Sequence, residues 1–184
     1  MCGSSALPYP VMQQWETITG HCILERYGMT EFVMAISNPL RGALKGGTVG
    51  KPFLGVEAKI LAEDGSDGGT EGVGELCIRN GGFFKTLDAV KVDEDGYYVI
   101  LGRKSADIMK VGGYKLSALE IEAILLEAST TLPLAMSKCC VLGLPDKDYG
   151  EAVSAIIVPQ ADVKREGDEN IKPAINFAIG PRTN

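Results

Sequence analysis

Residues 107–122 read Asp-Ile-Met-Lys-Val-Gly-Gly-Tyr-Lys-Leu-Ser-Ala-Leu-Glu-Ile-Glu, and the texture of the chain changes across them. Ser117 with Glu120 three residues on has the spacing of a capping box, so a helix is expected to begin there. Ile121, Ile124, Leu125 and Ala128 recur at helical spacing and predict its apolar stripe. Just upstream, Gly112-Gly113 reads in two ways. It is a hairpin turn ahead of the helix, or a place where a ligand chain approaches the backbone closely, with Lys110 and Lys115 supplying positive charge. Beyond the helix, Cys139 to Leu144 and Ala152 to Val158 read as strands, so this part of the chain is a small α+β unit.

Working back from Asp107, the pattern is that of strands and turns. Asp95-Gly96 predicts the turn of a hairpin joining the Val90 and Tyr97 segments, and Glu75 to Arg79 and Val56 to Leu61 read as strands. The Gly-rich stretch from Glu63 to Gly74 carries carboxylates and no lysine, which suits a hairpin connection and would repel a phosphate. Residues 37–55 hold five glycines and two prolines and read as loop. Cys22 to Tyr27 predicts a short strand running into a loop at Gly28. Near the start, Pro8 and Pro10 introduce a helix with Val11, Met12 and Trp15 on it, and Gly20 ends it. The portion up to about residue 103 is therefore all-β or mixed.

Composition narrows the function classes. The 184 residues are 45% hydrophobic and 23% charged, enough to bury a core. A net charge of -6 and a pI near 4.9 argue against nonspecific nucleic-acid binding, which needs a basic footprint. No apolar run approaches the roughly 18 residues of a membrane span. Met1-Cys2-Gly3-Ser4-Ser5 shows no basic region leading into an apolar stretch, so no targeting signal is visible. Cys2, Cys22, Cys77, Cys139 and Cys140 form an odd set without a CxxC, which predicts reduced thiols in an intracellular, cytoplasmic setting. A single histidine, His21, leaves little room for Ser-His-Asp or zinc chemistry.

Three constellations carry chemistry. In Tyr27-Gly28-Met29-Thr30-Glu31, Gly28 lets the backbone approach a flat ligand and Tyr27 offers an aromatic face. Thr30 supplies a hydroxyl for a phosphate oxygen, and Glu31 is a hard oxygen ligand suited to magnesium. The same five residues also read as an ordinary turn with an exposed acid. In the second, which runs from Phe83-Phe84-Lys85-Thr86-Leu87-Asp88 through Asp95-Gly96-Tyr97 to Gly102-Arg103, Asp88 can accept two hydrogen bonds from a ribose diol and Arg103 can reinforce that grip; a surface hairpin with scattered charges is the plainer reading. The third is the Asp107–Glu122 stretch already quoted.

Taken in order, GSSALP at 3–8, YGMTE at 27–31, TVGKPFLGVEAKI at 48–60, GELCIR at 74–79, FKTLD at 84–88, DGYYVILGR at 95–103, DIMKVGGYKLSALEIE at 107–122 and VLGLPDKDYGEAV at 141–153 resemble the AMP-forming acyl-adenylate superfamily. Within it, ERYGMTE and KVGGYKLSALEIE are most like the malonate–CoA ligase branch. The resemblance implies an α/β (α+β) fold: residues 1–103 as the C-terminal part of the large AMP-binding domain, 104–159 as a partial small C-terminal domain, and 160–184 as a divergent tail. It implies a small-molecule carboxylic acid, ATP and CoA as partners. The acid attacks ATP to give acyl-AMP, and the CoA thiol then displaces AMP. On the matched motifs, Gly3, Ser4, Ser5, Ala6, Tyr27 and Gly28 would line the adenine and acyl pocket. Thr30 would hold phosphate, Glu31 Mg2+, and Asp88 with Arg103 the ribose. Gly112 and Gly113 would border the pantetheine tunnel, with Lys110 serving the thioester step and the segment after Arg103 acting as hinge.

Four departures from the family pattern stand out. The lysine-ending phosphate loop and the rest of the large domain are not in the chain. Arg79-Asn80 runs straight into Gly81-Gly82-Phe83 where an internal piece is expected. Thr86-Leu87-Asp88 stands for Thr-Gly-Asp, and if that position needs φ > 0, leucine costs about 1–2 kcal/mol or displaces the aspartate. After Pro159 the late Gly-Lys motif is missing. A truncated ligase with little activity of its own and exposed strand edges is the expectation. A fatty or aromatic acid CoA ligase, and a non-catalytic nucleotide- or partner-binding remnant, are the alternatives.

Overall fold

The computed structural model describes residues 1–159 apart from Ser4, Asp67, residues 69–71 and residues 132–135. The expected tail at 160–184 lies outside the described residues. In chain order come α1 (Tyr9–Thr19), β1 (Arg26–Met29), β2 (Val33–Ser37), β3 (Lys51–Pro52), β4 (Ala58–Leu61), β5 (Val73–Asn80), β6 (Gly82–Val92) and β7 (Tyr98–Arg103). They are followed by β8 (Ile108–Val111), β9 (Tyr114–Ser117), α2 (Ala118–Thr131), β10 (Met136–Asp146) and β11 (Gly150–Pro159). The chain divides into two compact units, Met1–Ala106 and the part from Asp107 onward. Among the described residues no helix is long and apolar enough to cross a membrane.

In the first unit, Pro8 and Pro10 preset the entry to α1 and Gly20 closes it in the left-handed region at φ 71, its N–H donating to the Glu16 carbonyl. β1, β2 and β3 form an antiparallel sheet. The strand expected from Cys22 starts only at Arg26, because the residues before it have little to pair with beyond a single bridge between Glu25 and Cys2. β4 to β7 form a four-stranded antiparallel meander in sequence order. The Asp95-Gly96 turn is present, stiffened by the Asp93 carboxylate accepting from the Asp95 and Tyr97 N–H groups. Residues 83–88 lie in the 11-residue strand β6, which forms a hairpin with β7 across the Asp95-Gly96 turn and whose turn with β5 closes at Asn80-Gly81-Gly82 with Gly81 at φ 74. The junction suspected of lacking a piece is thus sealed as a tight turn.

The core of this unit gathers Ile36, Ile60, Leu76, Ile78, Val90 and Tyr98 from both sheets. Each fully buried aliphatic side chain contributes about 1.5–3 kcal/mol. β5 is buried on both faces from Glu75 to Ile78, which places a carboxylate, Glu75, among apolar neighbours.

In the second unit the sheet runs β10-β11-β8-β9. Gly112 and Gly113 take φ 56 and 85, the paired positive values of a two-residue hairpin turn, between the facing residues Val111 and Tyr114. Ser117 Oγ accepts the Glu120 N–H at 3.1 Å, so the expected cap is formed. The apolar stripe is narrower than its spacing suggested. Ile121 and Leu125 pack on Met109, Val141 and Val153, whereas Ile124 is 63% exposed. At 3.6 residues per turn Ile124 falls on the flank away from Ala118 and Leu125. The Val141 N–H on edge strand β10 donates to Glu122 Oε1 at 2.8 Å, so α2 covers part of an edge expected to be open.

Candidate functional site

The alternation of β1 decides the first element of the site. Arg26 points outward and Tyr27 inward. The open aromatic face expected of Tyr27 is therefore absent: its ring is part of the core, 6.1 Å from that of Phe32. Its hydroxyl emerges on the far side and donates to Asp88 Oδ2 at 2.7 Å. Burial and this bond push the Tyr27 phenol well above its usual pKa. Next along, Gly28 lets β1 and β2 come together, since a Cβ there would stand 1.9 Å from the Val33 carbonyl oxygen. The chain reverses through Thr30, Glu31 and Phe32, leaving Thr30 and Glu31 exposed at the tip. Val33 then adopts φ 64, a costly conformation for a β-branched residue.

Asp88 and Arg103 face each other across β6 and β7, with Arg103 Nε 2.9 Å from Asp88 Oδ1. The Asp88 side chain is 10% exposed and that of Arg103 47%, so a buried acid meets a cation open to ligand. Between Thr86 and Asp88, Leu87 sits at φ 62 with its side chain out in solvent. This is the left-handed geometry that glycine would meet freely, and the aspartate is held in place despite the leucine. Leu87→Gly is expected to raise stability by about 1 kcal/mol, relief of the left-handed strain outweighing the added freedom of the unfolded chain. A urea midpoint that stays put or falls would refute this.

A cleft of 670 Å³ opens beside these residues, lined by Gly3, Gly28, Thr30, Glu31 and Arg103 of the expected set. Arg26, Met29, Val33 and Met34 complete its wall. Tyr27 and Asp88 stand behind that lining, joined to it through Gly28 and Arg103. Ser5 and Ala6 do not line it, and Ser4 lies outside the described residues. Lys110, Gly112 and Gly113 belong to the second unit, where Lys110 and Lys115 are facing residues on β8 and β9.

Sequence reasoning missed two buried acids. Glu25, 4% exposed, accepts the Leu7 N–H at 3.2 Å on Oε1, while its Oε2 is buried with no hydrogen-bond partner among the described residues. Burial raises its pKa to about 7. Glu75 is the other, and it contacts Leu87 and Lys104. A carboxylate inside an otherwise apolar strand run, as in Gly74-Glu75-Leu76-Cys77-Ile78, is the signal that could have flagged it.

This fold, with a buried acid–arginine pair beside a glycine-threonine-glutamate hairpin, defines a protein class by comparison. The sequence profile described as "AMP-binding enzyme" matches residues 1–87 of this chain. It is 67% identical to "Probable CoA ligase CCL8" of Humulus lupulus over 197 aligned positions, spanning 96% of this chain and 32% of that protein. It is 60% identical to "Malonate--CoA ligase" of Arabidopsis thaliana, spanning 96% of this chain and 31% of the relative. Among solved structures, ATP-bound MatB from Rhodopseudomonas palustris superposes with a TM-score of 0.76 at 32% identity, over 89% of this chain and 36% of that one. The chain thus spans about a third of the length of the curated relatives it matches. The 197 aligned positions exceed its 184 residues, so CCL8 carries residues within the matched region that this chain lacks.

Proposed function

We propose that the whole protein is an AMP-forming acid–thiol ligase that activates a carboxylic acid, malonate above others, with ATP and transfers it to CoA. The observation that carries the reading is the Asp88–Arg103 pair, braced by Tyr27, beside the cleft that bears Thr30 and Glu31. Two relatives named as a CoA ligase and a malonate–CoA ligase, at 67% and 60% identity, support it. In this reading residues 1–103 belong to the large AMP-binding domain and 104–159 to the small one, with 160–184 a divergent tail.

Asp88 accepts hydrogen bonds from the ribose hydroxyls, and Arg103 orients its carboxylate. Thr30 donates to a phosphate oxygen. Gly3 and Gly28 shape the wall of the adenine and acyl pocket, with Tyr27 behind them. Arg26, exposed on the same cleft, suits the far carboxylate of a dicarboxylic acid, which favours malonate over fatty or aromatic acids. Among the described residues no three His, Cys, Asp or Glu side chains cluster to hold a metal. Magnesium fits here in the manner of a nucleotide-borne ion, with Glu31 as its single carboxylate, and when bound it neutralises phosphate charge. Lys110, Gly112 and Gly113 serve the thioester step and the pantetheine path. Rate enhancement in such a site is positioning and charge neutralisation.

Calorimetry with AMP on this chain tests the nucleotide half. Binding is expected, and Asp88→Asn is expected to weaken it at least tenfold while the melting temperature stays close to that of the parent. Absence of AMP binding by the parent chain would overturn the reading for this chain. On an intact homologue, pyrophosphate release with malonate should exceed that with hexanoate or coumarate, and the reverse order would remove malonate as substrate.

A further inference from the structure

Glu75 sits on β5, 5% exposed, one strand away from the Asp88–Arg103 pair and outside the cleft lining. Both of its oxygens are committed to the segment that presents Asp88. Oε1 accepts the Leu87 N–H at 3.2 Å, and Oε2 meets Lys104 Nζ at 3.0 Å. Lys104 closes the loop, because its own N–H donates to the Leu87 carbonyl at 3.0 Å. Leu87, at φ 62, is therefore clamped at its N–H by Glu75 and at its carbonyl by the residue that follows Arg103.

The neighbours of Leu87 are held in the same way. Thr86 Oγ1 donates to the Leu76 carbonyl at 2.8 Å and accepts the Asp88 N–H at 3.2 Å, while Arg103 Nη1 donates to the Thr86 carbonyl at 3.1 Å. A strained residue persists only where its surroundings over-determine it. A buried carboxylate is costly unless it is hydrogen-bonded and charge-paired. Here the strain falls on Leu87 and the burial cost on Glu75, and the bonds between them offset both; without them Leu87 would relax toward negative φ and swing the aspartate off Arg103.

We propose that Glu75 is a positioning residue of the nucleotide site: through the Leu87 amide and the Lys104 ammonium it holds Asp88 against Arg103. The role rests on the nucleotide reading above, in which Asp88 grips ribose. Glu75 does not touch the ligand. Its contribution is the backbone angle at Leu87, and glycine at position 87 makes that contribution dispensable.

The test uses the whole chain with Glu75→Ala, Glu75→Gln, and Glu75→Ala combined with Leu87→Gly. AMP affinity is read by calorimetry, and the Asp88 carboxyl carbon resonance is read by NMR without nucleotide. Glu75→Ala is expected to weaken AMP binding at least tenfold and to shift the Asp88 resonance. Glu75→Gln, which keeps an acceptor for the Leu87 N–H, should stay within threefold of the parent. Adding Leu87→Gly to Glu75→Ala should restore affinity to within threefold and return the resonance, which repair of a merely structural defect elsewhere would not do. Unchanged affinity in Glu75→Ala, or a loss that Leu87→Gly leaves untouched, overturns the proposal. If the parent binds no AMP, the nucleotide reading fails for this chain, and an Asp88 resonance unmoved by Glu75→Ala then overturns the positioning role separately. If Glu75→Ala does not fold, Glu75→Met, which fills a similar volume and removes both acceptor oxygens, carries the same pair of readouts and the same rescue.

Discussion

Gly28→Ala is expected to destabilise the first unit by at least about 2 kcal/mol, or to prevent its folding. A Cβ at this position would lie 1.9 Å from the Val33 carbonyl oxygen and 2.9 Å from the Met34 sulfur. The sulfur belongs to a flexible side chain that can move aside. The carbonyl belongs to β2 and cannot move without opening the hairpin. Overpacking of a well-formed site costs about 1–3 kcal/mol, and more where backbone must shift. The shift would also carry Thr30 and Glu31 away from Arg103, so AMP binding should fall along with stability. Urea denaturation reads the first effect as a lowered midpoint at unchanged slope. A variant with the parent midpoint would show that β1 and β2 do not approach as closely as described.

The second large effect is a stability that depends on pH through Glu25. Its folded pKa, raised to about 7, stands above the unfolded carboxyl's value near 4.5. Between those values the folded chain holds a proton that the unfolded chain has released. Stability therefore falls as pH rises through the window, by a total on the order of 2–3 kcal/mol. The cause is burial: one oxygen has the Leu7 N–H, the other has no hydrogen-bond partner among the described residues, and desolvation outweighs the Leu7 and Gly47 amides that favour the charged form. Glu25→Gln keeps the shape and removes the titration, so the difference between parent and variant isolates this one group. The parent should lose stability relative to the variant between pH 4.5 and 7. Parallel curves for the two proteins would refute the assignment.

Much of the site was legible because its residues carry local geometry with them. Gly20, the Asp95-Gly96 turn and the Ser117 cap each encode a backbone conformation in a few neighbouring residues, and each forms as expected. Leu87 is the most telling of these. The resemblance sets Thr86-Leu87-Asp88 against Thr-Gly-Asp and raised the question of a positive φ there, and Leu87 adopts φ 62. Less legible was what distant strands do to one another. Tyr27 reads as an aromatic face, yet the pleat of β1 turns its ring into the core and leaves only its hydroxyl for Asp88, 61 residues away. Ile124 fits a helical stripe, yet it falls on the flank of α2 away from Ala118 and Leu125 and stays in water.

The sequence by itself carried the resemblance to a family, the order of the motifs, the change from strands and turns to a capped helix near residue 117, and the residue types proposed to meet a nucleotide. Those properties depend on short-range spacing, and short-range spacing survives in the one-dimensional text. Only the tertiary structure decided which acids are buried and what they hold. Glu25 looks like any surface glutamate, and Glu75 differs from one only by its apolar strand run, until the strands are placed under their neighbours. Burial is a property of packing between segments far apart in the chain, and it turns one glutamate into a proton-binding group near neutral pH and makes the other the clamp behind Asp88.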